Sequence, residues 1–404
     1  MNDSNKLGVN RAVLALSVAR LGDAIGNSIL FIIIPLYVAE LPAPWFHVHE
    51  PVRVGILISL FGLVNSALQP VMGALSDRFR HRKLFILAGL FLMASGTFLF
   101  IFANRFVDLL LLRSLQGVGL AVTLPASMAL MASFTRRESR GSAMGFYTTL
   151  RIVGFAIGPL IGGFLHVHYG FNAAFLAGTG FVLLGMIFVQ MWVHEKEIKA
   201  AVSAQVQRFK VFDRTILSGG ILGLGTATFV MAASFTMMST LEVQFNQRLD
   251  QTAFGFSVAF SALMVTRLFS QIPLGHLSDR IGRKPLIIAG LLLMAPTTAL
   301  HGEVATTFQL TALRLIQGLA SAGIAAPVFA LAADLARAGS EARQMSIVTM
   351  SFGLGIATGP LIAGVLAVVS FELPFLIGGV LSLIAAWIVY QFVPETVRKS
   401  SKHS

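Results

Sequence analysis

Two stretches, GALSDRFRHR at Gly73–Arg82 and GHLSDRIGRK at Gly275–Lys284, are near copies of one polar, basic loop. Each sits between apolar runs: VGILISLFGLVNSALQPVM precedes the first, and FSVAFSALMVTRLFSQIPL and PLIIAGLLLMAPTTAL bracket the second. A basic loop between segments too apolar for water belongs at a membrane boundary, where Lys and Arg collect on one side. Its recurrence 202 residues later is the first sign of a doubled chain.

The composition agrees. Of 404 residues, 55% are hydrophobic and only 12% charged, with a mean hydropathy of +0.79. That is too little polar surface to coat a soluble globule of this size. The absence of cysteine excludes disulfide scaffolds and thiolate metal sites. The first apolar run holds Arg20 and Asp23 and ends in ELPAP without a small-residue cleavage pattern, so it reads as a retained helix and not a signal peptide.

Runs of spanning length predict an all-α integral membrane protein of twelve transmembrane helices, at residues 13–37, 54–72, 84–102, 109–134, 142–165, 171–193, 216–241, 254–274, 286–300, 307–335, 345–367 and 371–393. Twenty-two of the 30 Lys and Arg fall at the termini or in loops after even-numbered spans. Three (Arg53, Arg105 and Arg248) lie on the other side, and five are inside spans. The positive-inside rule then places both termini in the cytoplasm of a multi-pass cell-membrane protein, expected in a bacterial inner membrane. The formal charge of +12 is a topology signal with anionic lipid as its partner, not a nucleic-acid footprint.

One long polar segment, 194–214, interrupts the apolar runs near the middle of the chain, and it divides a six-helix bundle at 1–193 from a second at 215–404. Sliding the chain by 201 or 202 residues aligns Gln69 with Gln271, Asp77 with Asp279, Arg78 with Arg280, Arg113 with Arg314, Gln116 with Gln317, Pro125 with Pro327, and Gly158-Pro159 with Gly359-Pro360. Two pseudo-symmetric parallel repeats are one way to build an alternating-access carrier.

The duplicated loops join span two to three and span eight to nine, and they resemble the G-x-x-x-D-R-x-G-R-R/K signature of the major facilitator superfamily. Gly275, Asp279, Arg280, Gly282, Arg283 and Lys284 match throughout; the first copy keeps Gly73, Asp77, Arg78 and Arg82 but has Arg80 and His81 where Gly and Arg are expected. The resemblance implies a gate in which Asp77 and Asp279 latch the cytoplasmic side, each at the positive end of a helix. Plain topology determination would need the basic residues but no fixed Asp, Gly or register.

Span five carries GFAIGPLIGG (Gly154, Gly158, Pro159, Gly162, Gly163) and span eleven GIATGPLIAG (Gly355, Gly359, Pro360). Ordinary close packing accounts for G-x-x-x-G. The longer pattern in span five resembles that of the drug:proton antiporters in this superfamily, which implies export.

Ionisable side chains at membrane depth are functional candidates by default. Asp23 is the one acid deep in a span, on a helix face shared with Arg20 and Asn27. It can serve as a proton-loading carboxyl or as half of a static ion pair. Arg20, Arg151 and Arg113 are its candidate partners; Arg113 opens RSLQGVG, which resembles the superfamily's R-x-x-Q-G element, where the Arg is implicated in proton transfer. Arg267 and Arg314 have no acid at comparable depth, and with Asn65, Gln69, Gln116, Gln271 and Gln317 they would line a polar cavity. His47, His49, His166 and His168 lie in loops of the first half and read as solvated polarity, so no metal and no cofactor is expected.

No H-E-x-x-H, G-x-S-x-G or Walker A pattern occurs, which argues against an enzyme. The expected function is a monomeric, proton-coupled antiporter exporting lipophilic or amphiphilic small molecules. The excess of intramembrane Arg leaves a second reading open, export of an anionic metabolite such as an organic acid or siderophore.

Overall fold

The computed structural model describes residues 10–44, 47–79, 81–135, 139–194, 218–335 and 341–396, with 77 and 341–343 described in their backbone alone. The predicted linker beyond His194, the Asp77 side chain and Arg80 therefore lie outside the described residues.

The described residues are helical almost throughout. The long helices are α1 (Arg11–Glu40), α2 (Glu50–Phe79), α3 (Arg82–Leu99), α4 (Phe106–Phe134), α5 (Arg140–Trp192) and α6 (Gly219–Thr240). The short α7 (Glu242–Arg248) is followed by α8 (Ala253–Ile281), α9 (Arg283–Ala299), α10 (Thr307–Leu335), α11 (Glu341–Leu366) and α12 (Leu373–Phe392). In a bilayer every backbone group must be satisfied within its own segment, so an apolar run of this length has little choice but a helix. Polar caps mark where chain leaves lipid: the Asn10 side chain accepts from the Val13 N–H at 2.8 Å, and Ser218 does the same for Ile221.

Eleven of these helices are long and apolar enough to cross a membrane. The twelfth crossing is inside α5. At 53 residues it would be about 80 Å long if straight, against about 30 Å of hydrocarbon. Its continuity is broken at Gly170, with φ 79° and ψ −175°, a conformation that glycine adopts at little cost. Predicted spans five and six are thus the two arms of α5. Span seven is α6, and after a break at Leu241 the short α7 carries the chain onward.

The chain divides into two compact units. One comprises residues 1–47, 60–207 and 252–257; the other comprises 48–59, 208–251 and 258–404. In the first, Leu16, Ala19, Leu90, Met93, Leu130, Tyr147 and Val182 belong to one buried cluster. In the second, Leu224, Met231, Ile287, Leu291, Ile324, Val328 and Val389 play the same part. Lipid is as apolar as these side chains, so it is close packing that holds the helices together, and small residues decide where they meet.

Candidate coupling and substrate site

In the first unit, α1 turns Arg20, Asp23 and Asn27 to one side at helical spacing. Asp23 is 4% exposed and forms an ion pair with Arg20 through Nη1 and Oδ2. The Arg20 guanidinium stands 6.0 Å from the Tyr147 ring. Arg151 on α5 lies over Phe155 at 5.6 Å and also acts on the Asp23 charge. Among its candidate cations, Arg20 forms a direct ion pair with Asp23.

Arg113 is wholly buried and makes no bond to Asp23. Its Nη1 donates to Gln116 Oε1 at 2.9 Å and more weakly to Asn27 Oδ1 at 3.4 Å, and its guanidinium covers Phe61 at 4.8 Å. Gln116 Nε2 passes the chain on to Thr97 Oγ1 at 2.8 Å, and Thr97 donates to Met93 O. Nε and Nη2 of Arg113 have no hydrogen-bond partner among the described residues. The α1 face therefore meets two cations, one through a carboxylate at Asp23 and one through an amide at Asn27.

The second unit repeats half of this arrangement. Arg314, also wholly buried, donates to Gln317 Oε1 at 2.7 Å, and Gln317 Nε2 donates to Thr298 Oγ1 at 3.2 Å. Phe235 and Phe260 flank the guanidinium at 5.6 and 5.3 Å. Thr97 and Thr298 are 201 residues apart, the same offset as Arg113 and Arg314, so the Arg–Gln–Thr triad is itself duplicated. Sequence reasoning misses both threonines, although the repeat register could have found them. In the second unit Ala232 and Ala233 stand against Gly355 as Ala24 and Ile25 stand against Gly154, so the place of Asp23 is taken by Met231.

Asn65, Gln69, Arg267 and Gln271 are half-buried. Asn65 Oδ1, Gln271 Oε1 and Arg267 Nε have no hydrogen-bond partner among the described residues, as suits groups facing a polar ligand or water.

The signature loop of the second unit is knit into its own bundle. Arg283 pairs with Asp334 at the end of α10, donates to Ala330 O at 2.8 Å, and reaches Asp279 Oδ1 at 3.3 Å. Gly282 adopts φ 108°, and a Cβ there would stand 2.7 Å from Glu395 Oε2, which accepts from the Lys284 N–H. Lys284 Nζ bonds Tyr390 O, and in the first unit Lys83 Nζ bonds Gln190 O in the corresponding place. Arg78 and Arg280 are exposed; Gly73 lies against Pro125, and Gly275 is open, with only Ala326 in range.

The two Gly-Pro motifs are packing faces. A Cβ on Gly154 would meet Ala24 Cβ at 2.6 Å, and one on Gly158 would meet Ser28 Oγ at 2.0 Å and Ile25 O at 2.7 Å. These glycines seat α5 against Leu21, Ala24, Ile25 and Ser28 of α1, the helix that carries Asp23 on another face. Gly162 abuts Ile29, and Gly163 faces Ala253 and Ser257. Gly355 and Gly359 seat α11 on α6 in the same way, and Thr240 Oγ1 donates to Pro360 O at 3.3 Å.

Comparison with known proteins agrees with this architecture. The chain is 27% identical over 357 residues to the multidrug resistance protein MdtG of Klebsiella pneumoniae, covering 87% of this chain and 85% of that protein. It is 25% identical over 316 residues to the multi-drug resistance efflux pump PmrA of Streptococcus pneumoniae, 78% and 79% of the two chains. Among solved structures, a bacterial homologue of the human lysosomal transporter Spinster superposes with a TM-score of 0.75 at 16% identity, covering 94% and 95% of the two chains. The nucleoside transporter NupG superposes at 0.76 with 12% identity, covering 95% and 100%. The Major Facilitator Superfamily profile matches residues 16–246 and 215–404, which together take in nearly the whole length; the chain belongs to that superfamily and is a multi-pass membrane transporter, not an enzyme.

Proposed function

We propose that this transporter exports lipophilic or amphiphilic small molecules in exchange for protons, by alternating access between its two six-helix repeats. The observation that carries the reading is Asp23, a buried carboxyl ion-paired to Arg20 on α1, the helix that packs on the glycines of the span-five motif. A carboxylate in that place is stabilised by its cation and destabilised by loss of water, two opposing effects. A modest change in either, as the helices rearrange, switches it between binding and releasing a proton. Arg20 would then be free for water or for the carbonyls of α1, and the Asn27–Arg113–Gln116 chain would carry the change to α4. Drug and proton compete in this scheme because the neutral Asp23 side chain and the charged one favour different packings of α1 on α5.

The names of the relatives support a multidrug cargo. The arginine excess that pointed to an anionic cargo is partly taken up within the chain: Arg20 has its carboxylate, and Arg113 and Arg314 have a glutamine and aromatic faces. In this reading both termini are cytoplasmic, the loops at Gly73 and Gly275 gate that side, and the unit of function is the monomer.

The test is efflux of a fluorescent lipophilic cation from cells overproducing the protein. Energised cells should empty several-fold faster than cells with an inactive Asp23→Asn variant, and a protonophore should abolish the difference. Efflux that survives the protonophore would rule out proton coupling.

A further inference from the structure

The second unit has no counterpart of Asp23, yet it buries another carboxyl. Glu242 is the first residue of α7, at the break after α6. Its side chain is 0% exposed, and neither oxygen has a hydrogen-bond partner among the described residues. The charged and titratable groups on the surrounding elements are engaged elsewhere or do not reach it. On α2, Glu50 accepts from Gln244 Nε2 at 3.4 Å, and Arg53 stands one turn on. Arg248 of α7 is held by Glu372 at 2.7 Å. Asp250 lies beyond the end of α7, His301 is hydrogen-bonded to Thr297 O, and Arg314 is engaged with Gln317. None forms an ion pair with Glu242.

An ionised carboxylate sealed from water without a cation or donors is too costly to persist, so the group is neutral. Burial indeed pushes its pKa well above the ordinary carboxyl value; Asn246, one turn on, offsets part of this without closing a hydrogen bond of normal geometry. In the packing of the two units Tyr37 and Phe245 take the same place, 208 residues apart, so Glu242 corresponds to Ile34 and the buried carboxyl is particular to the second unit.

We propose that Glu242 is a second proton-binding group of the transport cycle, neutral in the conformation seen here and exchanging its proton with the solution opposite the termini when the α6–α7 junction opens. The idea rests on the proton-coupled reading above and extends it: Asp23 in the first unit switches beside a fixed cation, and Glu242 in the second switches by gaining and losing water. Two carboxyls, one per repeat, would let more than one proton move per molecule exported.

Purified protein in proteoliposomes, driven by a lipophilic cation, gives the proton-to-substrate ratio directly. Removing one of two sites should lower that ratio about twofold in Glu242→Gln, and Glu242→Asp should restore most of it. In parallel, wild-type protein is treated at neutral pH with dicyclohexylcarbodiimide, an apolar reagent for protonated carboxyls, and the label is mapped by mass spectrometry; the peptide carrying Glu242 should be modified. That arm needs no variant, so poor folding of Glu242→Gln would leave the question answerable. An unchanged ratio in a well-folded Glu242→Gln, or an unlabelled Glu242, overturns the proposal while leaving coupling through Asp23 intact. A wild type that moves no protons with substrate removes the coupled reading and this one with it.

Discussion

Replacing Gly158 by Ala adds one methyl group at the seam between α5 and α1, where there is no room for it. The new Cβ would lie 2.0 Å from Ser28 Oγ, 2.7 Å from Ile25 O and 3.1 Å from Ile25 Cα. Ordinary contact starts near 3.4 Å, so the hydroxyl must move by about 1.4 Å and the backbone by about 0.7 Å, while real overpacked cores give way only partly. Rotating Ser28 relieves the first clash but forfeits its bonds to Ile25 O and Gly154 O. The second clash is with backbone and can be relieved only by moving α5 from α1. Overpacking of this kind costs about 1–3 kcal/mol. Because the helix displaced carries Asp23, Gly158→Ala should lower both the thermal midpoint of the detergent-purified protein and the efflux rate. Adding Ser28→Gly should recover only the hydroxyl part of the loss. The assay is a thermal melt followed by light scattering, paired with dye efflux at matched expression. Full stability and full efflux in Gly158→Ala would refute the packing argument, and complete rescue by Ser28→Gly would refute the claim that backbone contact dominates.

The duplicated triads should respond alike. Thr97→Val and Thr298→Val each leave a buried Gln Nε2 without its acceptor, at a cost of about 1–3 kcal/mol, and a melt that shifts for one and not the other would contradict the equivalence. Gly282→Ala forces a side chain into φ 108° and against Glu395, which should cost about 1–3 kcal/mol; an unshifted melt would mean that the loop relaxes freely. Glu242 supplies a pH dependence with a definite sign. Its folded pKa is raised by burial, so the folded protein holds a proton that the unfolded chain releases above about pH 4.3. Wild type should therefore match Glu242→Gln in stability below that pH and fall behind as the pH rises toward the folded value. Parallel pH profiles for the two proteins would show that the carboxyl is not held neutral.

Much of the fold is legible in the sequence because the bilayer narrows the choices. Apolar length gives the crossings, and the 201–202 register pairs Gly158-Pro159 with Gly359-Pro360 from the residues alone. Hydropathy places a boundary between spans five and six near Gly170, and the non-helical φ and ψ of that glycine mark where one helix gives way to the next. Partner choice is less legible. Asp23 has a cation three residues before it and others on neighbouring helices, and only side-chain packing shows that Arg20 takes the carboxylate while Arg113 turns to Asn27 and Gln116. Thr97 and Thr298 escape notice because a threonine in an apolar helix ordinarily bonds its own backbone, as Thr97 also does. Glu242 reads in the sequence as a plain helix end; whether an end is wet or sealed depends on what packs over it in the fold.

The most direct test of proton coupling through Asp23 is proton movement in proteoliposomes under an imposed pH gradient, with lipophilic cations, neutral drugs and organic anions added in turn to wild type and Asp23→Asn. The account predicts substrate-triggered proton flux for the lipophilic compounds in wild type and its loss in Asp23→Asn, with the variant still inserted and still binding substrate. Flux of undiminished size and unchanged pH dependence in Asp23→Asn would contradict it.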